Sequence, residues 1–171
     1  MNHLFRALPS MDASLDALLA ADKTLHDLPR PLLREAVTDF WNSRRDDIRA
    51  GRVQDAAELA LEACLPELLA CVNRSLAKCY ADGIRELSAL TGKNYTSLNI
   101  VGGGCNNRVL NQWTADATGL PVFAGPGEGT ALGNAIAQLI ALGELKDLSH
   151  AREHIRADFE LKTFMPKENG K

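Results

Sequence analysis

The stretch that decides the fold is Leu98-Asn-Ile-Val-Gly-Gly-Gly-Cys-Asn-Asn-Arg-Val-Leu-Asn-Gln112. A short apolar run at residues 97–101 is followed by three glycines and then by a segment with helical periodicity at residues 106–118. This order predicts a strand, a tight glycine-rich turn and a helix, which Gly119 ends.

The same order recurs downstream. Residues 121–124 predict a second strand, residues 125–129 form a second glycine-rich loop, and residues 130–142 predict a helix that Gly143 ends. Two strands that each lead into a helix, joined by one crossover, favour parallel pairing. The predicted fold class is therefore α/β, rich in helix, with a small parallel sheet covered by helices at residues 66–91, 106–118 and 130–142.

Residues 1–96 predict almost only helix. Ser14 is a candidate cap for a short helix that ends at Ala21, and two prolines precede a helix over residues 32–48. Asp55 and Glu58 have the spacing of a capping box, which predicts a helix from there to residue 64. Pro66 is expected to break that helix and to begin the next one.

The helix over residues 66–91 has apolar or small residues at steps of three and four, which predict one buried stripe, and Gly92 ends it. The stripe consists of Leu69, Val72, Leu76, Cys79, Gly83 and Leu87. Residues 146–171 are charged and predict a short helix and a tail, with fraying expected from Met165 onward.

Composition limits the function classes. Leu occurs 26 times and Ala 24 times, which favours helix. A net charge of −3 argues against a nucleic-acid partner. No apolar run approaches the ~20 residues that span a bilayer, and no signal peptide is apparent, so we expect a cytoplasmic protein without a membrane partner. Four cysteines are expected as reduced thiols: Cys64, Cys71, Cys79 and Cys105. The spacing of the first three places them on one helix face, which predicts small core positions for Cys64, Cys71 and Cys79.

The three glycines have a possible chemical use. Glycine lets a ligand approach the backbone, and nucleotides bind at the carboxyl ends of strands in α/β sheets. A tight turn without a ligand explains the glycines equally well. Asn106 and Asn107 suit the edge of a base or a ribose, but they also suit the cap and first turn of the helix. The pattern is neither a P-loop nor a dinucleotide fingerprint.

No other motif predicts a catalytic site. His150 and His154 are four residues apart and can share a helix face, but no third ligand is near, so a metal site is not expected. No pair of acidic residues stands out as a general acid and base.

The segment 98–112 resembles the adenosine motif of the FGGY carbohydrate kinases. The resemblance continues through residues 114–119, through Ala124-Gly-Pro-Gly-Glu-Gly-Thr-Ala-Leu-Gly-Asn134, and back into the helix from Glu67 to Leu87. It covers about residues 65–145, with residues 1–64 a weakly matched helical segment. Within the family, the likeness is to the branch that phosphorylates L-rhamnulose.

The resemblance implies a ribonuclease-H-like fold and particular site residues. It places ATP on the C-terminal of two domains, and the sugar and catalytic aspartate mainly on the other. Gly103 would lie at the nucleotide and Asn107 beside the adenine, with Gly102 and Gly104 shaping the turn. Gly133 would let the last helix pack closely.

The sequence also departs from the family. Its 171 residues are far fewer than a whole kinase has, and Arg108, Gly127 and Gly129 replace the usual residue types. We therefore expect the N-terminal domain, with its Mg²⁺ ligands and catalytic aspartate, to be absent, and no catalytic residue in this chain.

Three functions follow as alternatives. The first is the ATP-binding half of a sugar kinase that phosphorylates a ketose, inactive alone, which self-associates or docks to an N-terminal kinase domain. The second is a truncated, non-catalytic module that binds a nucleotide or a partner. The third, from fold alone, is another doubly wound nucleotide-binding enzyme.

Overall fold

The computed structural model describes residues 2–159 and 161–167, which form two compact units, one up to Leu76 and one from Ala77 onward. From residue 2 to residue 96 the secondary structure is helical, as predicted. The elements are α1 (Asn2–Ala7), α2 (Met11–Ala21), α3 (Arg30–Arg49), α4 (Leu61–Thr91) and two 3-10 helices, Lys23–Asp27 and Ala56–Leu59. None of the described helices is long and apolar enough to cross a membrane.

The cap of α2 is Ser10, so the prediction of Ser14 is wrong. Ser10 has the extended backbone that an N-cap needs, and its Oγ accepts from the Ala13 N–H at 3.2 Å. Ser14 lies one turn further on, where its buried hydroxyl donates to the Ser10 carbonyl at 2.8 Å.

The junction before α4 also differs from the prediction. The capping box of Asp55 and Glu58 is present, but it opens only the 3-10 helix Ala56–Leu59. Pro66 lies inside α4 instead of starting a helix. Because Pro66 is near the N-terminus of α4, its missing N–H removes a single bond, to the Glu62 carbonyl, and the helix continues.

The buried face of α4 is displaced from the predicted stripe. Val72 and Leu76 are buried as predicted, whereas Leu69 is half-buried and Cys79 and Leu87 are exposed. The buried positions are Cys64, Leu68, Val72, Asn73, Leu76, Ala77 and Ala81. Gly92 ends the helix with φ +66, as predicted.

The four cysteines are free thiols in different surroundings. Cys64 and Cys105 are buried, Cys71 is half-buried and Cys79 is exposed. The expectation of core positions therefore holds for Cys64 and is wrong for Cys79. The two residues have the spacing of one helix face, but that face is not covered by other residues at Cys79.

The second unit contains a three-stranded sheet. Its elements are β1 (Leu98–Ile100), α5 (Arg108–Thr118), β2 (Val122–Ala124), α6 (Gly129–Ala141), α7 (Leu148–Asp158) and β3 (Lys162–Phe164). β1 and β2 pair in parallel, with Leu98 opposite Val122, which confirms the predicted crossover. The α/β fold class is confirmed, but the sheet is mixed, because β3 pairs antiparallel with β2 in a segment that we predict as a tail.

The core of this unit lies on the sheet. Cys105, Ala115, Val122, Ala124 and Phe164 form one buried cluster, with Leu98 and Ile100 packed against it. Phe164 comes from β3, so the third strand completes the core as well as the sheet.

The segment after β3 is held by α5. Gln112 donates from Nε2 to the Met165 carbonyl at 2.8 Å, and Asp116 Oδ1 accepts from the Lys167 N–H at 2.8 Å. The fraying expected from Met165 is therefore wrong for residues 165–167, and residues 168–171 lie outside the described residues.

Candidate functional site

Gly102 joins the two glycine-rich loops. Its N–H donates to the Pro126 carbonyl at 3.3 Å, and its own carbonyl accepts from the Cys105 N–H at 3.1 Å. Gly102 has φ +76, a conformation that residues with a side chain rarely adopt. The backbone therefore requires glycine at this position.

The next two glycines are under different constraints. Residues Gly103–Asn106 form a 3-10 helix, and neither Gly103 nor Gly104 is among the glycines with positive φ. A Cβ on Gly104 would meet Ile100 Cγ2 at 3.5 Å, an ordinary contact. Gly103 is exposed. The backbone conformation therefore does not require glycine at residue 103.

The two asparagines are separated by the structure. Asn107 is buried, and its Oδ1 accepts from the Leu110 N–H at 2.9 Å, so it is the N-cap of α5. The helix accordingly begins at Arg108 and not at Asn106. Asn106 is exposed and lies on the wall of a cleft. The interpretation of Asn107 as a cap, left open by the sequence, is correct.

Asn111 stabilises the 3-10 helix Gly103–Asn106 through side-chain hydrogen bonds, a role that sequence reasoning missed. It is fully buried, and its Nδ2 donates to the carbonyls of Gly104 at 3.3 Å and Cys105 at 3.1 Å. These bonds hold the 3-10 helix over the first turns of α5.

A cleft of about 200 Å³ lies at the carboxyl end of β2, beside both glycine-rich loops. Its lining residues are Cys105, Asn106, Ala124, Gly125, Pro126, Gly127, Phe159 and Lys162. Cys105 and Asn106 directly follow the glycines of the first loop. The cavity is therefore bordered by the second loop and by the two residues that follow the first glycines, whereas the predicted site residues Gly102, Gly103, Gly104 and Asn107 are not among its lining residues.

Phe159 and Lys162 enter the cleft from the segment that sequence reasoning assigned to a tail. Lys162 is placed there because β3 runs antiparallel to β2 and sets Lys162 opposite Ala124. No motif could have indicated this, since the pairing joins segments far apart in sequence. Lys162 forms no ion pair with another described residue.

Gly133 lies away from the cleft. Apart from its chain neighbours and the adjacent backbone of α6, no described atom comes within 4 Å of a Cβ built on Gly133, so the close packing expected of this glycine is not observed among the described residues.

The two histidines of α7 share a face as predicted. Nε2 of His150 and Nε2 of His154 are 3.3 Å apart, and Asp158 lies 4.0 Å from His154 Nδ1. Across residues 2–159 and 161–167, no group of three or more His, Cys, Asp or Glu side chains could hold a metal ion.

The family model described as "FGGY family of carbohydrate kinases, C-terminal domain" matches residues 5–142. The chain belongs to this family. The FGGY match includes most of the first unit, in which few of the sequence motifs that carry the resemblance are found. Its ribonuclease-H-like sugar kinase fold agrees with the helix-rich α/β architecture.

Two FGGY relatives are rhamnulokinases. The chain is 46% identical over 102 residues to the rhamnulokinase of Bacillus subtilis (strain 168), an alignment that covers 60% of this chain and 21% of the relative. It is 48% identical over 100 residues to that of Enterobacter sp. (strain 638), covering 58% of this chain and 20% of the relative. The chain therefore spans about a fifth of the length of the curated relatives it matches, and the resemblance to rhamnulokinases is confirmed.

Proposed function

We propose that this chain is the ATP-binding part of a sugar kinase that transfers the γ-phosphate of ATP to a ketose. The observation that carries the proposal is the cleft at the carboxyl end of β2, which is lined by the second glycine-rich loop and by Cys105 and Asn106, the residues directly after the first. In parallel α/β sheets this is the place where nucleotides bind. The family match supports the kinase class, and the rhamnulokinase relatives favour L-rhamnulose as the ketose.

Each predicted residue has a role in this proposal. Gly102 sets the turn through its positive φ, and Gly104 continues it. Gly103 leaves the backbone accessible to the nucleotide. Asn107 lies beside the adenine while its Oδ1 caps α5. The sequence features and the family match support this assignment, and Cys105 and Asn106, which line the cleft, lie between these residues in the chain.

We propose further that the 171-residue chain is inactive alone. Phosphoryl transfer requires a residue that positions the sugar hydroxyl, a metal clamp on the phosphates and a site that excludes water. The matched family domain is the C-terminal one. The described residues offer no cluster suited to Mg²⁺, so we place the Mg²⁺ ligands and the catalytic acid on another domain and assign no step through the metal to this chain.

Nucleotide binding is the first test. Isothermal titration calorimetry of the full chain with ADP should show binding, and Gly103→Val should abolish it, because the added side chain blocks the backbone. Residue 103 suits this test better than residue 102, since Gly102 has a positive φ at which valine would be strained, and the loss of folding would be confused with a loss of binding. Gly83→Val is the matched control, because Gly83 is helical and has open space around it. Equal ADP affinity in the wild type and in Gly103→Val would refute the assignment.

Activity is the second test. ADP release that depends on L-rhamnulose should be absent for the isolated chain, because the loss of a general base alone costs ~10²–10⁴-fold. Robust turnover by the purified chain, with host kinase excluded, would place a catalytic acid within these residues.

The chain also presents surfaces suited to a partner, which we propose is the rest of the kinase or a second copy. In the described sheet β1 is an edge strand, and unpaired strand edges favour pairing with another chain. Helix α6 carries no charged residue, and Ile136 is its buried residue. Sedimentation at high concentration should reveal self-association or, with the co-expressed kinase domain, a complex. A chain that stays monomeric and does not bind the co-expressed kinase domain would contradict the proposal of a partner surface.

A further inference from the structure

We propose that Lys162 contacts the phosphates of the nucleotide bound in the cleft. The inference rests on the proposed function, because it adds a residue to the same nucleotide site. Neither the sequence motif nor the family resemblance described above includes Lys162. Its position on β3 carries the argument.

The backbone of Lys162 is held at the edge of the cleft. β3 pairs Lys162 with Ala124, the last residue of β2, and Phe164 with Val122. Side chains alternate along a strand, so Lys162 shares a face of the sheet with Phe164, which is buried in the core. Where that core ends, the cleft begins, and Lys162 lines it.

The chemistry of the lining favours an anionic group at Lys162. It is the single charged residue among the eight lining residues, and it forms no ion pair with another described residue. The other seven lining residues are uncharged; among them are Asn106, whose side chain is an amide, and Phe159, which is aromatic. A lysine ammonium acts as a compact point charge that binds phosphate, whereas amides and aromatic rings suit a base.

The size of the cleft agrees with a nucleotide that is only partly enclosed, with its phosphates near Lys162. A cavity of about 200 Å³ is smaller than the ~300–1,000 Å³ typical of small-molecule sites. A whole nucleotide must therefore extend beyond the cleft. Lys162 is exposed, so its ammonium can reach the part of the ligand that lies at the mouth.

The test compares a ligand with phosphates and one without. Titration calorimetry of the full chain with ADP and with adenosine is carried out for the wild type, Lys162→Gln and Lys162→Arg. Lys162→Gln should weaken ADP binding about tenfold at low salt and leave adenosine binding unchanged, since one charge-assisted contact is lost. Lys162→Arg should keep most of the ADP affinity. Lys78→Gln is the matched control, because Lys78 is an exposed lysine of α4 that does not line the cleft.

The outcomes separate this inference from the proposed function. Unchanged ADP affinity in Lys162→Gln, with a wild type that binds ADP, would overturn the role of Lys162 and leave the nucleotide site standing. Equal weakening of ADP and adenosine would also overturn it, because a phosphate contact acts on ADP alone. A wild type that binds neither ligand would overturn the proposed function, and the inference with it.

Discussion

Trp41 donates from Nε1 to Ser14 Oγ at 3.0 Å, and both residues are buried. The bond links α3 to α2 within the first unit. Ser14→Ala would leave the indole N–H buried without its acceptor, which costs ~1–3 kcal/mol. Alanine recovers up to ~0.5 kcal/mol through helix propensity. We therefore expect the free energy of unfolding to fall by ~1–2 kcal/mol, measured by urea denaturation.

Ser149→Ala is the control for this variant, because Ser149 is exposed on α7. Its effect should stay within ~0.5 kcal/mol. A Ser14→Ala protein as stable as the control would mean that the Trp41 N–H finds another acceptor.

Two glycines of the second unit should respond in opposite directions to alanine. Gly119 ends α5 with φ +68, so Gly119→Ala should destabilise the protein by ~1–2 kcal/mol. Gly133 lies inside α6 with open space around a Cβ, so Gly133→Ala should stabilise it by up to ~1 kcal/mol. Thermal and urea unfolding of both variants measure this difference. A loss of stability in Gly133→Ala would mean that residue 133 has a packing neighbour beyond the described contacts.

Stability should decrease at alkaline pH. Burial raises the pKa of the Cys64 thiol, and Arg44 partly opposes this; burial also raises the pKa of the Tyr80 hydroxyl. The folded state therefore keeps protons that the unfolded state loses. The stabilising contribution is complete below the ordinary pKa values, about 8.5 for Cys and 10 for Tyr, and is lost as the pH rises through the raised values.

Urea denaturation at pH 7.5 and pH 10 checks this expectation. Cys64→Ala should show a smaller decrease between the two pH values than the wild type does. Cys79→Ala should keep the wild-type decrease, since Cys79 is exposed. A decrease that is identical in both variants would assign the pH effect to other groups.

Asp116 should hold the segment that follows β3, up to Lys167. Its Oδ1 accepts from Gln112 Nε2 at 2.9 Å and from the Lys167 N–H at 2.8 Å. Asp116→Ala removes both bonds, so we expect faster hydrogen–deuterium exchange at the Lys167 amide. Asp158→Ala is the control, because Asp158 is exposed and far from α5 in sequence. Exchange as slow as in the wild type would show that Gln112 and the Met165 carbonyl suffice.

The sequence by itself determined the parts of this protein that depend on near neighbours. Glycine is readily accommodated at positive φ, so Gly92 and Gly119 indicate helix ends independently of tertiary contacts. The strand, glycine and helix order around Leu98–Ile100 predicts a crossover, and parallel pairing follows from it. The same motif carried the resemblance to the FGGY family.

Only the tertiary structure decided which segments meet. The pairing of Val122 with Phe164 joins residues far apart in the chain, and no local pattern contains it. That pairing turns an expected tail into β3 and brings Lys162 to the cleft. Likewise, Asn106 and Asn107 are chemically identical, but in the structure Asn107 is the buried N-cap of α5 whereas Asn106 is exposed. Local propensities act over a few residues, whereas burial depends on which distant surface is close enough to exclude water.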